Sequence, residues 1–155
     1  MKIKRELVRF AIQPDAFYPM NNDRLAFVDR ESVLEVKKNY AGCFSPEYQR
    51  LVIECSTGDD DESYRDVHLL LSSDQQDKLQ AWLLSNEHEL TLIDDDRTLS
   101  LRKIATGLDM KFLDPQWLDP EAWRSKPIAV KIEMALDLEE AEKLTKWLAQ
   151  PFETY

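Results

Sequence analysis

The chain has 155 residues, 43% hydrophobic and 10% aromatic, which is typical of a globular protein and predicts one domain spanning residues 1–155. Its 30 acidic and 20 basic residues give a net charge of −10, and this excess disfavours a free DNA- or RNA-binding surface, which is normally basic. No apolar stretch nears the roughly 18 residues of a membrane span and the N-terminus lacks the apolar core of a secretory leader, so we expect a cytoplasmic protein without membrane contact.

The N-terminal segment predicts a strand followed by a loop. Residues 8–12 place large apolar side chains at every second position, the period of a half-buried strand. Residues 14–23, PDAFYPMNND, have the composition of a loop. Within it Phe17, Tyr18 and Met20 supply apolar surface, either as a lid over the core or as a contact surface for a partner.

The next segment permits two interpretations. Residues 25–28 predict a short strand, and residues 30–40 favour a helix that Asp29 caps and Gly42 ends. A strand competes with this helix because alternating positions are also occupied by Leu34, Val36, Lys38 and Tyr40.

A hairpin and a helix are expected in the middle of the chain. Residues 51–55 and 64–71 are rich in β-branched and apolar side chains and predict the two strands of the hairpin. Residues 73–84 then predict an amphipathic helix with carboxylates in its first turn, where the helix dipole favours them. The tip of the hairpin is acidic and contains Asp59, Asp60, Asp61 and Glu62.

A second hairpin follows, with strands at residues 90–93 and 99–104 and an acidic tip formed by Asp94, Asp95 and Asp96. Residues 105–126 are the least regular segment, although Asp119-Pro120-Glu121 predicts the start of a short helix through Arg124. The aromatic residues there, Trp117 among them, would either pack under this long connection or form an exposed contact surface.

The last segment predicts a strand at residues 128–136 and a helix at residues 138–150. Residues 67–84 and 132–149 share this strand-helix pattern, and KLQAWL aligns with KLTKWL at a constant offset of 65 positions. Either internal duplication, with pseudo-repeat units 48–86 and 98–150, or convergence of two amphipathic helices explains the match. The expected fold is α+β: a two-layer arrangement with a mainly antiparallel sheet of six to eight strands and two or three amphipathic helices on one face.

Acidic residues are concentrated between Thr57 and Asp96. This segment has twelve acidic side chains against two basic ones, which is the whole net charge, while the acids and bases of the flanking segments cancel. Charged hairpin tips can simply keep a surface soluble and protect edge strands. Segregated charge of one sign, however, is what electrostatic attraction of a basic partner requires.

The sequence contains few patterns that catalysis or metal binding would need. There is no HExxH or CxxC motif, no phosphate-binding glycine loop and no GxSxG motif. Cys43 and Cys55 are expected to be buried thiols. We expect no catalytic residue, metal or cofactor; the alternative is a metal-assisted hydrolase in which His68, His88 and nearby carboxylates converge.

These patterns predict a non-enzymatic acidic protein that neutralises a basic protein partner, most specifically an immunity protein inhibiting an antibacterial toxin or effector. A phage-type inhibitor of a nucleic-acid-binding defence complex would use the same electrostatics. A subunit that forms a homodimer through exposed tryptophans is a further class. The expected contact residues are the two acidic tips and two aromatic anchors: Asp59, Asp60, Asp61, Glu62, Asp94, Asp95, Asp96, Tyr18 and Trp117.

Overall fold

The computed structural model describes residues 7–12, 16–21, 24–29, 32–40, 49–57, 65–119 and 126–150. In chain order its elements are β1 (Leu7–Ile12), β2 (Ala16–Asn21), β3 (Arg24–Asp29), β4 (Ser32–Tyr40), β5 (Gln49–Thr57), β6 (Arg65–Leu70), α1 (Ser73–Leu83), β7 (Glu89–Asp94), β8 (Arg97–Ile104), β9 (Gly107–Trp117), β10 (Ile128–Asp137) and α2 (Leu138–Ala149). Neither helix is long and apolar enough to cross a membrane.

The described strands form two five-stranded sheets, whereas the sequence predicted one sheet of six to eight strands. The orders are β1-β10-β9-β8-β7 and β2-β3-β4-β5-β6. Neighbouring strands are antiparallel except β1 and β10, which are parallel. Each sheet contains a four-strand antiparallel meander that leads into a helix. We call β3 to β6 with α1 the first unit, and β7 to β10 with α2 the second unit.

The helix predicted for residues 30–40 is wrong, because residues 32–40 form strand β4. Burial alternates along this strand: Leu34, Val36 and Lys38 are buried, and the residues between them are partly exposed. The period of two therefore prevails over the helical spacing, as expected for a strand that lies between β3 and β5 inside a sheet.

Two strands lie where the sequence predicted none: β2 in the loop expected at residues 14–23, and β9 in the least regular segment, residues 105–126. β2 contains Pro19, which is tolerated because β2 is an edge strand and a missing ladder donor does little harm there. β9 contains Pro115, which lies beyond Leu113, where β9 no longer pairs with β8 and keeps only β10 as a neighbour. In both strands the proline therefore lies where one side of the strand has no hydrogen-bonded neighbour, and it does not end the strand.

The remaining predicted elements are confirmed to within a few residues. The predicted strands correspond to β1, β3, β5, β6, β7, β8 and β10, and the two amphipathic segments to α1 and α2. The short helix predicted from Asp119 to Arg124 lies, after Asp119, outside the described residues.

One hydrophobic core contains side chains from both sheets and both helices. β10 shows the pattern clearly, because every second residue along it is buried while the intervening residues are partly exposed. The helices contribute Leu79, Trp82, Leu144, Trp147 and Leu148. Removal of this apolar surface from water is the main stabilising contribution to the fold.

The two units have the same strand register. Leu25 lies opposite Val36 in the pair β3–β4, and Leu90 lies opposite Leu101, each 65 residues later, in the pair β7–β8. α1 and α2 begin 65 residues apart as well. β5 and β9 correspond at an offset of 57, and their registers with β6 and β10 again agree. The similarity of the units therefore extends beyond the strand and helix that the sequence pattern indicated.

A lysine of each unit caps the helix of the other unit. Lys103, on β8, donates hydrogen bonds from Nζ to the carbonyl oxygens of Trp82 (2.6 Å) and Ser85 (2.5 Å) at the C-terminal end of α1. Its Nζ also lies 4.5 Å from the centroid of the Trp82 ring. Carbonyl groups at a helix C-terminus lack intrahelical donors and carry partial negative charge, so a cation there is stabilising.

Lys38, on β4, makes the equivalent contacts with α2. Its Nζ donates to the carbonyl oxygens of Trp147 (3.3 Å) and Gln150 (2.8 Å) and lies 4.5 Å from the centroid of the Trp147 ring. Lys38 is only 2% exposed, so these contacts compensate for the desolvation of its charge. The lysines, the tryptophans and the last capped residues are each separated by 65 positions.

Replacing either capping lysine should destabilise the protein. Lys103→Met and Lys38→Met keep most of the side-chain volume but remove the charged donor from two helix-terminal carbonyls, so each should lower the free energy of unfolding by roughly 2 kcal/mol. The Trp82 and Trp147 carbonyls keep the backbone N–H groups of Ser85 and Gln150 as donors. Urea denaturation followed by circular dichroism measures this. Lys78→Met, on the exposed side of α1, is the control and should change stability by less than about 0.5 kcal/mol. Equal effects at Lys103 and Lys78 would contradict the capping role.

Candidate functional site

Exposed carboxylates of α1, β7 and the residues next to β7 form what we call the acidic surface. Its members are Asp74, Asp77, Glu87, Glu89, Asp95 and Asp96. The Gln75 carboxamide, near the start of α1, hydrogen-bonds to both the N–H (2.7 Å) and the carbonyl (2.8 Å) of Ile93, near the end of β7. This contact holds the start of α1 beside the end of β7, which places Asp74 near the Asp95-Asp96 turn.

The turn between β7 and β8 consists of Asp95 and Asp96, and its backbone conformation is one that aspartate adopts readily. Asp95 has a φ of 54°, in the left-handed region that aspartate tolerates better than most side chains. Asp94 and Arg97 are register partners on either side of the turn, so Asp95 and Asp96 alone connect the strands and point their charges to solvent.

The acidic surface is not neutralised by the protein itself. None of its six carboxylates forms an ion pair with any residue in the part of the chain that the structure describes. Four acidic residues elsewhere do have a lysine partner, in the pairs Glu35–Lys37, Glu133–Lys131, Glu139–Lys143 and Glu142–Lys146. Among the described residues, the six carboxylates of this surface are exposed and unpaired, and they all belong to the segment in which the sequence concentrates acidic residues.

Two of the predicted contact residues are engaged inside the molecule. Asp94 Oδ2 accepts hydrogen bonds from Arg97 Nη2 (2.9 Å) and from the backbone N–H of Leu70 (3.0 Å). Trp117 is only 6% exposed and packs in the core. The structure therefore places the side chains of Asp94 and Trp117 in contacts within the molecule.

The other predicted contact residues lie on β2, on the first acidic tip and on the turn between β7 and β8. Tyr18 lies on the edge strand β2. The first acidic tip lies outside the described residues, and its role stays a prediction for Asp59, Asp60, Asp61 and Glu62. Asp95 and Asp96 are the predicted contact residues that the structure shows to be exposed.

A polar cluster joins the two sheets beside this turn. Trp117 Nε1 donates to Asp66 Oδ1 (3.0 Å), and Asp66 Oδ2 lies 3.6 Å from His68 Nδ1. Arg97 Nη1 donates to His68 Nε2 (2.8 Å), and Arg97 also pairs with Asp94. Because Asp66 and His68 lie on β6 and their partners on β7, β8 and β9, the cluster fixes β6 against the other sheet.

Asp66 and His68 shift each other's pKa. The hydrogen bond with Asp66 raises the pKa of His68 above its usual 6.5, and this effect outweighs burial and the Arg97 charge. The same bond, together with the one from Trp117, lowers the pKa of Asp66 below 3.8. Since a guanidinium can only donate, His68 accepts through Nε2 in this arrangement, and a second ring proton would face the Arg97 donor.

Of the two histidines in the metal-site hypothesis, only His68 lies in a group with two carboxylates in the described part of the chain. One ligand atom each of Glu54, Asp66 and His68 lies within 4.8 Å of the other two. His88 is exposed and belongs to no such group among the residues that the structure describes. Arg97 also contacts His68 directly, and its positive charge would oppose a cation at this place.

Cys55 does not offer a nucleophile. It is a buried free thiol, and burial raises its pKa to about 12, so the reactive thiolate is disfavoured. Cys43 lies outside the described residues.

Two residues of the site were missed by the sequence reasoning. Gln75, which ties α1 to β7, carries no sequence signal because one glutamine in a polar helix face is ordinary. Arg97 follows three aspartates, and a base directly after an acidic tip is a signal for the internal pair with Asp94 that it forms.

Comparison with known proteins shows the fold and nothing finer. No family model matches the chain, and no curated protein matches it. The chain is similar to one in the crystal structures of Trypanosoma bruciei MRP1/MRP2, with a TM-score of 0.55 and 12% sequence identity over 81% of this chain and 88% of that chain. At this identity the similarity establishes a shared arrangement of strands and helices only.

The Asp66–His68 contact predicts a pH dependence. Because the folded pKa of His68 is raised, its contribution to stability is complete below about pH 6.5 and is lost as the pH rises through the folded pKa. Asp66→Asn should return the pKa of His68 towards 6.5 in a proton NMR titration of the ring. Asp74→Asn, at an exposed carboxylate of α1, is the control and should leave that pKa unchanged. An unaltered His68 titration in the Asp66 variant would refute the assignment.

Proposed function

We propose that this chain is a non-enzymatic binding protein whose acidic surface docks on a basic protein. The observation that carries the proposal is the contrast between six exposed carboxylates without a cationic partner and the ion-paired carboxylates on β4, β10 and α2. Like charges held close together destabilise a folded protein by mutual repulsion. A basic surface docked against them would remove that repulsion.

The geometry suits electrostatic docking. α1 and β7 are rigid elements joined by the Gln75–Ile93 hydrogen bonds, so their carboxylates keep fixed spacings in the unbound state. A preorganised charged surface accelerates encounter with a partner of opposite charge, and the acceleration falls as salt rises. Lys78 is the one basic residue exposed on the same helix.

The most specific form of this proposal is a cytoplasmic immunity protein that inhibits an antibacterial toxin or effector. In a toxin that acts on nucleic acid, the basic groove that binds phosphates would be occupied by the carboxylates of the acidic surface. A phage-type inhibitor of a nucleic-acid-binding defence complex would present the same surface to a different target. Co-expression separates the two: an immunity protein restores growth to cells that the captured partner arrests.

Removing charge from the acidic surface should slow partner association. A variant with Asp74→Asn, Glu89→Gln, Asp95→Asn and Asp96→Asn keeps the shapes of the side chains, and we expect an association rate about tenfold lower at low salt and a weaker salt dependence. Parallel capture from the native cell with both forms, followed by stopped-flow kinetics on the retained protein, measures this. Glu139→Gln with Glu142→Gln on α2 is the matched control. A basic partner retained equally by all three forms would reject the acidic surface as its docking site.

A metal-assisted hydrolase is the second candidate, favoured by the Glu54–Asp66–His68 group alone. Inductively coupled plasma mass spectrometry of the purified protein distinguishes the two. We expect no stoichiometric metal, because Arg97 competes for His68. One equivalent of zinc or manganese that is lost in a His68→Ala variant would favour the hydrolase.

We also infer that the first and second units arose by duplication and pack as two layers. The shared strand register and the reciprocal lysine caps support this origin, since convergence of two amphipathic helices would not reproduce both. Separate expression of the second unit tests it: a dimer in which the caps are exchanged between copies is expected.

A further inference from the structure

We propose that β7 is a strand-accepting edge and that the basic partner docks by adding an extended, lysine- or arginine-rich segment to it. This inference rests on the proposed function and specifies how the acidic surface would hold its partner. β7 is the last strand of its sheet, with Thr91, Ile93 and Glu89 exposed along it.

The backbone groups of this edge point outwards. Gln75 bonds to the N–H and carbonyl of Ile93 from the side away from β8, so both groups face out of the sheet. In a regular antiparallel strand the direction alternates, so Thr91 and Glu89 also direct their N–H and carbonyl groups outwards. No described residue hydrogen-bonds to these four groups. They form a ready ladder for one more strand.

The first unit already carries a strand at the equivalent position. β3 corresponds to β7, and β2 pairs antiparallel with β3, with Tyr18 opposite Ala26. Ala26 corresponds to Thr91, and Val28, which lies opposite Ala16, corresponds to Ile93. In the second unit no described strand takes the place of β2. The pairing of β2 with β3 is therefore a template for the pairing of an added strand with β7.

Gln75 limits the register of the incoming strand. Its carboxamide makes with Ile93 the contacts that a backbone at the position of Ala16 would otherwise make. The ladder for a partner therefore runs from Thr91 towards Glu89. A recess of about 250 Å³ opens on the sheet face beside these two residues and also contacts Ser100 and Lys111, so it offers room for a side chain of the added strand.

The negative charge beside β7 favours a basic segment, and not a second copy of this chain, as the strand that pairs with β7. If two copies paired antiparallel about Thr91, Glu87 of each would lie opposite Asp95 of the other, and both chains carry a net charge of −10. Like charges directly opposite each other in a ladder are destabilising. An extended segment with lysine or arginine at alternate positions would instead meet Glu87 and Glu89 with complementary charge.

The probe is an alternating lysine-valine octapeptide, titrated into the protein with its glutamate-valine counterpart as the control. Thr91→Pro removes the outward N–H without changing charge, and an edge strand tolerates proline there. We expect roughly tenfold weaker binding of the basic peptide to this variant. Should Thr91→Pro not fold, the same peptide methylated on its alternate backbone nitrogens tests the ladder on the wild-type protein, with the same tenfold loss expected.

The outcomes separate this inference from the proposed function. If neither Thr91→Pro nor backbone methylation weakens binding while Glu89→Gln with Asp95→Asn does, strand addition is overturned and acidic docking stands. If the variant with Glu89→Gln and Asp95→Asn also binds the basic peptide normally, strand addition and acidic docking are both overturned. Equal binding of the glutamate-valine peptide, or a dimer of the protein with protected β7 amides, would overturn the basic occupant.

Discussion

The exchanged lysine caps are the interaction on which the rest of the arrangement depends. Lys38 and Lys103 each extend from the sheet of one unit to the C-terminal carbonyls of the other unit's helix, and each lies against the tryptophan of that helix. A cation brought into the core needs fixed acceptors, so the caps define where each helix ends and how it is turned against the sheets. With α1 fixed in this way, Gln75 can hold β7, and the carboxylates of both elements share one side.

The acidic surface and the edge of β7 belong to the same part of the molecule, and in the proposed function they act on the same partner. Charge alone would attract any basic protein, and an open edge alone would attract any extended chain. Their combination favours a segment that is both basic and extended. The polar cluster of Asp66, His68, Arg97 and Asp94 lies beside the turn and joins β6 to the sheet that contains β7 and β8.

Much of the fold could be read from the sequence where side chains repeat with a clear period, as in β10 and α2. The strands that were missed have local reasons: Pro19 and Pro115 are typical of loops but lie at sheet edges, and β4 places its buried lysine where alternation predicts an apolar residue. Lys38 has no local signal, because its partners lie 109 and 112 residues away in the chain. The acidic segment was predictable from composition, whereas the internal pairing of Asp94 required the fold.

Amide hydrogen exchange on the protein with and without its captured partner tests the central claim most directly. The account predicts that binding protects the outward amides of Thr91 and Glu89 and the exposed turn at Asp95, while the amides of α2 exchange as before. Protection confined to α2 or to the face of the other sheet, with β7 unchanged, would contradict it.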